Sequence, residues 1–395
     1  MIDRRTTLIG GLATALPGCA MQISAPIVPV NLADEAMMSS KGFVRMWGDG
    51  GADEVAAFLK HEAPILRAKY QDRGKARKGE VSHILAISGG ADDGAFSAGL
   101  MAGWGAKGDR PHFDVVTGVS AGSLVAPFVF LGSDYDKQLS TIFTTHSGAA
   151  IYTANPLAGV FGGPSLADNA PLAKLIEGYV DRTMIRRVAA ERAKGRYLLI
   201  CTTNLHAQRP VIWDMGRIAE AGSIDLFRSV LLASAALPGI FPPVEITVKA
   251  AGKTFSEIHV DGGPTREVFV SPAVFSFRDL DKEIGVKVSR RLWLIRNGKL
   301  TPEYANVSLS AASIAMRSLE TLTKYQGLGD INRIYDHAKL DGMDFNLASI
   351  PPTFNERRPA PFDPGYMNAL FKTAYELGRS GYQWAKVPPE SNKRT

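Results

Sequence analysis

The stretch VVTGVSAGSL at residues 115–124 decides the fold of this chain. A short apolar run leads into the pattern Gly-x-Ser-x-Gly, and a helical sequence follows. This order is typical of a nucleophile elbow, a turn so tight that it needs glycine at Gly118 and Gly122. Such a turn pushes the hydroxyl of Ser120 clear of the backbone, where it can attack an acyl carbon once a base removes its proton. The stretch therefore predicts a serine nucleophile on a strand–turn–helix unit.

Strand-like and helix-like segments alternate on both sides of this unit. Such alternation favours a largely parallel sheet covered by helices on both faces. We predict strands at residues 83–88, 113–119, 197–203, 211–214, 255–260 and 291–296. We predict helices at residues 53–70, 94–105, 121–131, 171–180, 224–235, 308–325 and 364–384. The expected fold is α/β, with three α/β/α layers around a central, mostly parallel sheet.

A glycine-rich turn, SGGADDGAF at residues 88–96, follows the first predicted strand. The backbone N–H groups of such a turn lie at the positive end of the next helix and can hold an anion. The turn lacks the Gly-Lys-Ser/Thr ending of a phosphate-binding loop, and its two aspartates would repel a phosphate. With a serine nucleophile one strand later, we favour an oxyanion hole formed by Gly89, Gly90 and Ala91.

A third motif, HVDGG at residues 259–263, places Asp261 at the end of a predicted strand. Taken alone, Asp261 followed by Gly262 and Gly263 is an ordinary turn. If the strands are parallel, Ser120 and Asp261 both lie at carboxyl ends, where open α/β sheets have their binding sites.

These three elements, in this order, resemble the patatin-like phospholipase family. The resemblance rests on the glycine-rich turn through Gly94, the elbow around Ser120, the Asp261 turn, and ASAALPGIFPP at residues 233–243. It extends over roughly residues 84–298. It implies a Ser–Asp dyad without a catalytic histidine, in which Ser120 is the nucleophile and Asp261 the general base. It also implies hydrolysis of lipid acyl esters through an acyl-enzyme intermediate.

The chain departs from the family pattern at two positions of the glycine-rich turn. Ala91 stands where the family usually has a third glycine, and Asp93 where it commonly has a basic residue. Alanine still offers its N–H, so a hole is expected if the backbone φ at Ala91 is negative. We expect Asp93 to weaken oxyanion stabilisation or to shift substrate preference away from anionic head groups.

Two histidines compete with the dyad interpretation. A conventional triad runs Ser, Asp or Glu, then His, and His337 alone follows Asp261 in the chain. It lies in a polar segment that lacks the usual loop signature. His259 shares the strand of Asp261, and we interpret it as a hydrogen-bonded structural residue. Without a histidine, Asp261 must act directly, which requires that burial raise its pKa.

The composition excludes several other classes of function. No metal-binding motif occurs, the seven histidines are scattered, and the pair Asp92-Asp93 is expected to be solvated or turn-forming, so we predict no metal and no cofactor. A net charge of +6 is mild for 395 residues, so we expect no nucleic-acid binding. The chain contains no run of 18 apolar residues, so we predict no membrane-spanning helix.

The N-terminus resembles a bacterial export signal. Arg4-Arg5 precede an apolar run at residues 8–16, and Leu-Pro-Gly-Cys ends at Cys19. The alternatives are a lipobox that makes Cys19 a lipid anchor, a twin-arginine signal, or a simple signal peptide. The lipobox interpretation predicts a membrane-anchored protein of the bacterial cell envelope, facing the periplasm. The second cysteine, Cys201, is predicted to be a buried core thiol rather than a disulfide partner.

The predicted organisation has four parts. These are a signal peptide at residues 1–18, a tether and N-terminal helix at 19–80, the catalytic domain at 81–387, and a disordered tail at 388–395. The function that we favour is a serine lipid acyl hydrolase with a lipid or other acyl ester as substrate. A short-chain esterase or thioesterase, and a catalytically silent lipid-binding lipoprotein, stay as alternatives. The sequence does not indicate an oligomeric state.

Overall fold

The computed structural model describes residues 23–37, 44–76, 81–146, 148, 151–154 and 165–389. Its strands are β1 (Arg45–Trp47), β2 (Val81–Ile87), β3 (Val115–Val119), β4 (Thr153–Ala154), β5 (Ala167–Asp168), β6 (Tyr197–Asn204), β7 (Arg209–Asp214), β8 (Val244–Ala250), β9 (Lys253–Asp261), β10 (Ser289–Arg296) and β11 (Asp344–Ser349). Its helices are α1 (Ala33–Met37), α2 (Ala52–Ala76), α3 (Gly94–Lys107), α4 (Ala121–Leu131), α5 (Asp136–Thr145), α6 (Ala170–Tyr179), α7 (Arg182–Ala193), α8 (Met215–Glu220), α9 (Ile224–Ser234), α10 (Phe277–Ile284), α11 (Ala311–Asp341) and α12 (Pro364–Ser380).

A nine-stranded sheet forms the centre of the described part, in the order β1-β7-β6-β3-β2-β10-β11, with β9 and β8 branching from β6. Strands β6, β3, β2, β10 and β11 run parallel to one another. Strands β1 and β7 on one side, and β9 and β8 on the branch, pair antiparallel. The prediction of a mostly parallel central sheet is confirmed. Strands β1, β8 and β11 of this sheet were not predicted.

Helices cover both faces of the sheet, as the alternating side chains of β2 show. Leu85 and Ile87 belong to one hydrophobic core, and Ile84 and Ala86 belong to the other. The first core contains residues of α3, α4 and α12, and the second contains residues of α2, α10 and α11. A continuous apolar run, rather than an alternating one, is what a strand buried on both faces requires.

Helix α3, which begins at the glycine-rich turn, is held by a very close contact with α12. A Cβ atom added at Gly103 would lie 2.0 Å from the carbonyl oxygen of Tyr375, and one at Gly378 would lie 2.4 Å from that of Leu100. Only glycine permits this backbone approach. The last helix of the chain thereby fixes the position of the turn that precedes α3.

Two helix predictions were too short. The helix predicted at 53–70 continues to Ala76. The helix predicted at 308–325 begins at Ala311 and continues to Asp341, ending where Gly342 adopts a φ of 70°. Its polar final turns stay helical because Ile331 and Ala338 are buried in the core.

Part of the predicted tether is built into the sheet. Residues 45–47 form strand β1, which pairs with β7. The guanidinium of Arg45 forms a buried ion pair of 2.5 Å with Glu257 on β9. The signal peptide, Cys19 and most of the predicted tail lie outside the described residues, and the domain boundaries stay predictions. Among the described helices, none combines the length and the apolar character that crossing a bilayer requires.

Candidate active site

Ser120 lies on the predicted elbow between β3 and α4. Its backbone has a φ of 53° and a ψ of −125°, a conformation that residues other than glycine rarely adopt. The flanking glycines are required: a Cβ at Gly118 would lie 2.5 Å from the carbonyl oxygen of Gly122, and one at Gly122 would lie 2.5 Å from that of Ile87. The elbow is therefore a strained turn that the surrounding structure holds in place.

Short hydrogen bonds hold this strained turn. The N–H of Ser120 donates to the hydroxyl of Ser234 at 3.1 Å, and that hydroxyl donates to the carbonyl oxygen of Cys201 at 2.7 Å. The hydroxyl of Ser123 donates to the carbonyl oxygen of Ser120 at 2.6 Å. Sequence reasoning assigned no role to Ser234, although it lies in the ASAALPGIFPP motif. Its position at the end of α9 makes it the link between the elbow and strand β6.

Asp261 reaches the edge of the sheet that carries Ser120, but by a different path from the one predicted. Strand β9 runs antiparallel to β6, so the assumption of parallel strands is wrong for Asp261. On the side of β6 that does not pair with β7, Cys201 lies opposite Val119, and the next residue, Thr202, lies opposite Asp261. Strand β9 therefore occupies the place beside β6 where β3 has ended, and its last residue lies next to the elbow.

The Asp261 carboxyl group is buried and only half satisfied. Its Oδ1 accepts a hydrogen bond from the N–H of Gly263 at 2.7 Å. Its Oδ2 has no hydrogen-bond partner within the described part of the chain. Burial raises the pKa of Asp261 to about 7, against the lowering influence of Ser120 and of the Gly263 N–H, and the nearby Glu267 adds to the rise. A carboxylate with a pKa near neutrality and a vacant oxygen suits a general base.

The glycine-rich turn lies directly against the nucleophile. A Cβ at Gly89 would lie 3.1 Å from that of Ser120, and one at Gly94 would lie 2.7 Å from the Cβ of Ala121. Gly90 has a φ of 147°, and a Cβ there would lie 2.4 Å from the carbonyl oxygen of Asn297. The turn and the elbow thus meet side by side, as an oxyanion hole requires.

The donors available on this turn differ from those predicted. The N–H of Gly89 donates to the carbonyl oxygen of Glu267 at 3.0 Å, so the assignment of Gly89 to the hole is wrong. The N–H groups of Gly90 and Ala91 have no acceptor among the described residues. The φ of Ala91 is 50° rather than negative, so the stated condition for this residue is not met. Ala91 occupies a left-handed position that glycine would fill with less strain.

Asp92 is buried and Asp93 is partly buried, so the expectation of a solvated pair is wrong, whereas the alternative of a turn-forming pair agrees with the 3-10 turn at Ala91–Asp93. Asp92 accepts from the Arg358 guanidinium at 3.0 Å and from the N–H of Phe362 at 3.1 Å. Asp93 accepts from the hydroxyl of Tyr366 at 2.6 Å. Burial and the neighbouring Asp92 raise the pKa of Asp93 to about 6, although Tyr366 and Arg358 lower it. The two carboxylates attach the first turn of α12 and the segment before it to the glycine-rich turn.

A second buried carboxylate, Glu267, lies between the two turns of the site. Both of its carboxylate oxygens would lie 3.1 Å from a Cβ at Gly89, and Oε2 would lie 3.3 Å from one at Gly263. Arg296 at the end of β10 forms an ion pair with Glu267. Burial raises the pKa of Glu267 and Arg296 lowers it. The sequence signal for Glu267 was a charge four residues after Gly263 and directly before the apolar Val-Phe-Val at residues 268–270.

Neither histidine takes part in the arrangement. Both ring nitrogens of His259 are engaged, Nδ1 with the hydroxyl of Thr202 at 2.9 Å and Nε2 with Glu257 at 3.0 Å. The interpretation of His259 as structural is confirmed. His337 is exposed on α11, and no hydrogen bond in the described part joins it to Ser120 or Asp261.

Cys201 is a buried core thiol, as predicted, and burial raises its pKa to about 12. The described residues contain no group of three or more histidine, cysteine, aspartate or glutamate side chains placed to hold a metal ion.

Comparison with known proteins finds a family model that covers the residues of this site. The family model for patatin-like phospholipases matches residues 85–274, a range that contains the glycine-rich turn, the elbow and Asp261. Among solved structures, VipD from Legionella pneumophila is similar at 11% identity, with a TM-score of 0.35, covering 78% of this chain and 68% of that one. Human GIVD cytosolic phospholipase A2 is similar at 11% identity, with a TM-score of 0.33, covering 85% of this chain and 63% of that one.

Structural likeness at this level carries no argument, and no curated protein matches the sequence. Over residues 85–274, just under half of its length, the chain matches the model of a family of lipid ester hydrolases, the patatin-like phospholipases.

Proposed function

We propose that this enzyme hydrolyses lipid acyl esters through a Ser120–Asp261 dyad. The observation that carries the proposal is the pairing of a strained serine elbow with a buried carboxyl group that has one vacant oxygen and a pKa of about 7. A general base with a pKa near the working pH is ionised in part and still basic enough to accept a proton. Both requirements are met without a histidine.

The reaction has two steps. In the first, the Asp261 carboxylate takes the Ser120 hydroxyl proton while Oγ bonds to the ester carbonyl carbon; the N–H groups of Gly90 and Ala91 donate to the resulting oxyanion. The ester C–O bond then breaks, Asp261 returns the proton to the leaving alcohol, and an acyl-enzyme remains. In the second, Asp261 takes a proton from water, the hydroxide attacks the acyl carbon, and the fatty acid leaves as Ser120 regains its proton.

Asp93 bears on the choice of lipid. Its carboxylate lies in the turn that supplies the oxyanion donors, where a fixed negative charge opposes the developing oxyanion. The hydrogen bond from Tyr366 and the nearby Arg358 offset part of that charge. We therefore propose a preference for zwitterionic or neutral head groups over anionic ones. An Asp93→Arg variant with the same head-group preference as the wild type would contradict this.

We also propose that Cys19 carries a lipid anchor in a bacterial envelope membrane. The support is the sequence of residues 1–19 alone. A tether of this kind raises the concentration of the enzyme at a lipid surface. Metabolic labelling with a radioactive fatty acid tests it: label should enter the wild-type chain and be absent from Cys19→Ser.

The test of the dyad compares the Cys19→Ser chain, which cannot be acylated, with two variants in that background. On long-chain phospholipid and on a soluble short-chain ester, we expect Ser120→Ala and Asp261→Asn to lose about a thousandfold or more in kcat. His337→Ala should keep wild-type activity. A fluorophosphonate probe should label Ser120, as mass spectrometry of the tryptic peptide would show.

The outcomes separate the alternatives. Activity confined to the short-chain ester would favour a soluble-ester esterase with the same dyad. Equal activity in the wild type and Ser120→Ala, or none in either, would refute the hydrolase proposal. The absence of activity in both proteins would favour the silent lipid-binding protein. The engaged N–H of Gly89 and the strained backbone of Ala91 would then explain why hydrolysis is absent.

A further inference from the structure

Helix α11 is much longer than its place in the fold requires. It connects β10 to its parallel neighbour β11, and it has 31 residues, about 46 Å at about 1.5 Å per residue. Strand β11 has six residues, about 20 Å at about 3.3 Å per residue. A crossover helix that only spanned the sheet would need less than half of this length.

The second half of α11 is the part that packs on the sheet. Ile331 and Ala338 are buried in the core, and the carboxylate of Asp330 accepts from the N–H of Glu267 at 2.8 Å. A Cβ at Gly327 would lie 2.9 Å from Cγ of Glu267, so the helix passes the wall of the active site at this residue. Residues 311–326 therefore extend beyond the sheet edge that carries Ser120.

This overhanging half carries apolar side chains that nothing in the described part covers. None of its residues belongs to a hydrophobic core cluster. Leu319 is 53% exposed and Leu322 66%, and the segment that leads into the helix exposes Leu309 and Tyr304 almost completely. We use the term apolar arc for the exposed apolar residues of the overhang, which are Ile314, Met316, Leu319, Leu322 and Tyr325.

The amphipathic character of the overhang is inverted. Arg317 and Lys324 bind back to the preceding segment, donating to the carbonyl oxygens of Glu303 and Thr301, and Lys324 also pairs with the Glu303 carboxylate at 2.9 Å. At about 100° per residue, these charged side chains lie on the opposite side of the helix from the apolar arc. An ordinary surface helix turns its apolar side to the protein. Here that side is turned away.

We propose that the apolar arc, with residues 304–310, is the surface by which the enzyme docks on a lipid bilayer; this rests on the proposed function. A bilayer fits better than a protein partner, because residues 304–316 carry no charge at all. Tyrosines at the two ends, Tyr304 and Tyr325, suit the boundary between head groups and acyl chains. The net charge of +6 favours approach to anionic lipids.

The position of the arc gives it a role in catalysis. It projects from the sheet edge at which Ser120 and Asp261 lie, so a bilayer bound there faces the active site. A phospholipid then needs to move only a short way out of the bilayer to bring its ester to Ser120. The apolar arc would thus raise the rate of hydrolysis of aggregated lipids and leave the rate on soluble esters unchanged.

The experiment uses the Cys19→Ser chain, so that no lipid anchor contributes. Its Leu319→Gln/Leu322→Gln variant is compared with Leu340→Gln, a matched control on the last turn of the same helix, where Leu340 is 63% exposed. Co-sedimentation with vesicles of phosphatidylcholine and phosphatidylglycerol measures binding. A soluble short-chain ester measures the folded active site. We expect the double variant to bind vesicles at least about tenfold more weakly, with soluble-ester activity unchanged, and Leu340→Gln to match the parent chain.

Three results would overturn the proposal: no vesicle binding by the parent chain, equal binding by the double variant, or equal weakening by Leu340→Gln. A dimer that the double variant dissociates, with vesicle affinity unchanged, would assign the arc to a second copy of the chain. If the double variant loses soluble-ester activity, Leu322→Gln alone repeats the test with one exposed change. A chain that binds vesicles through the arc but hydrolyses no ester refutes the proposed function and leaves docking intact.

Discussion

Replacing Asp261 by asparagine should abolish activity and stabilise the fold, and the gain in stability should grow with pH. Burial holds the pKa of Asp261 at about 7 in the folded enzyme, against about 3.8 in the unfolded chain. A folded-state pKa above the unfolded value favours folding only while the group is protonated. Stability is therefore greatest below about pH 4 and is lost as the pH rises through about 7. Asparagine has no proton to lose, so this loss does not occur in Asp261→Asn.

The magnitude follows from the two pKa values. By linkage, the raised pKa of Asp261 costs the folded enzyme about 2 kcal/mol of stability at pH 5 and about 4 kcal/mol at pH 8. The advantage of Asp261→Asn over the wild type should thus increase by about 2 kcal/mol between these two pH values. Comparing the same two proteins at two pH values removes any fixed cost of the amide in the site.

Urea unfolding followed by tryptophan fluorescence measures this difference, with the Cys19→Ser background in every sample. Asp336→Asn, which makes the same change at an exposed position on α11, is the matched control. The reasoning is refuted if the difference between Asp261→Asn and the wild type is the same at pH 5 and pH 8 to within about 0.5 kcal/mol. That result would mean that Asp261 is ionised at both pH values and is a weaker base than proposed.

Three further predictions test neighbouring parts of the site. The kcat/KM of the wild type on a soluble ester should be about tenfold lower at pH 6 than on its alkaline plateau, because only ionised Asp261 accepts a proton. A pH profile that is flat from pH 5 to 8 would exclude Asp261 as the base. In Glu267→Gln the midpoint of that profile should move to lower pH, because the loss of a negative charge and the unpaired Arg296 both lower the pKa of Asp261. An unchanged midpoint would leave Glu267 with a packing role only. Ala91→Gly should raise stability by about 0.5–1 kcal/mol in urea unfolding without loss of activity, because it relieves a φ of 50°, and a loss of stability would contradict the strain.

The features that depend on local sequence could be predicted. The elbow around Ser120 needs small residues at fixed spacing within five positions, so the pattern Gly-x-Ser-x-Gly was sufficient to find it. The central strands could be found because burial on both faces demands an apolar run. Asp261 was found by its turn, although the strand that carries it runs in the direction opposite to the one assumed.

The features that depend on distant residues could not be predicted. Gly89 was assigned to the oxyanion hole because nothing in its own segment shows that its N–H reaches the carbonyl oxygen of Glu267. Solvation was one of the two predictions for Asp92 and Asp93, because their partners could not be found nearby in the sequence. These partners, Arg358 and Tyr366, lie more than 250 residues later in the chain. The pKa values of these carboxylates have the same origin, since burial depends on what packs around a residue.

Backbone strain in this enzyme is concentrated where the chemistry is proposed. Five described residues other than glycine have a positive φ, and three of them are Ala91, Ser120 and Phe362. Two are the donor and the nucleophile, and the third fixes the glycine-rich turn through its N–H bond to Asp92. Each such residue costs about 1–3 kcal/mol and persists only where its surroundings hold it. The surroundings thus hold the strained turns of the proposed oxyanion hole and nucleophile in place before substrate arrives, so binding need not supply the energy to form them.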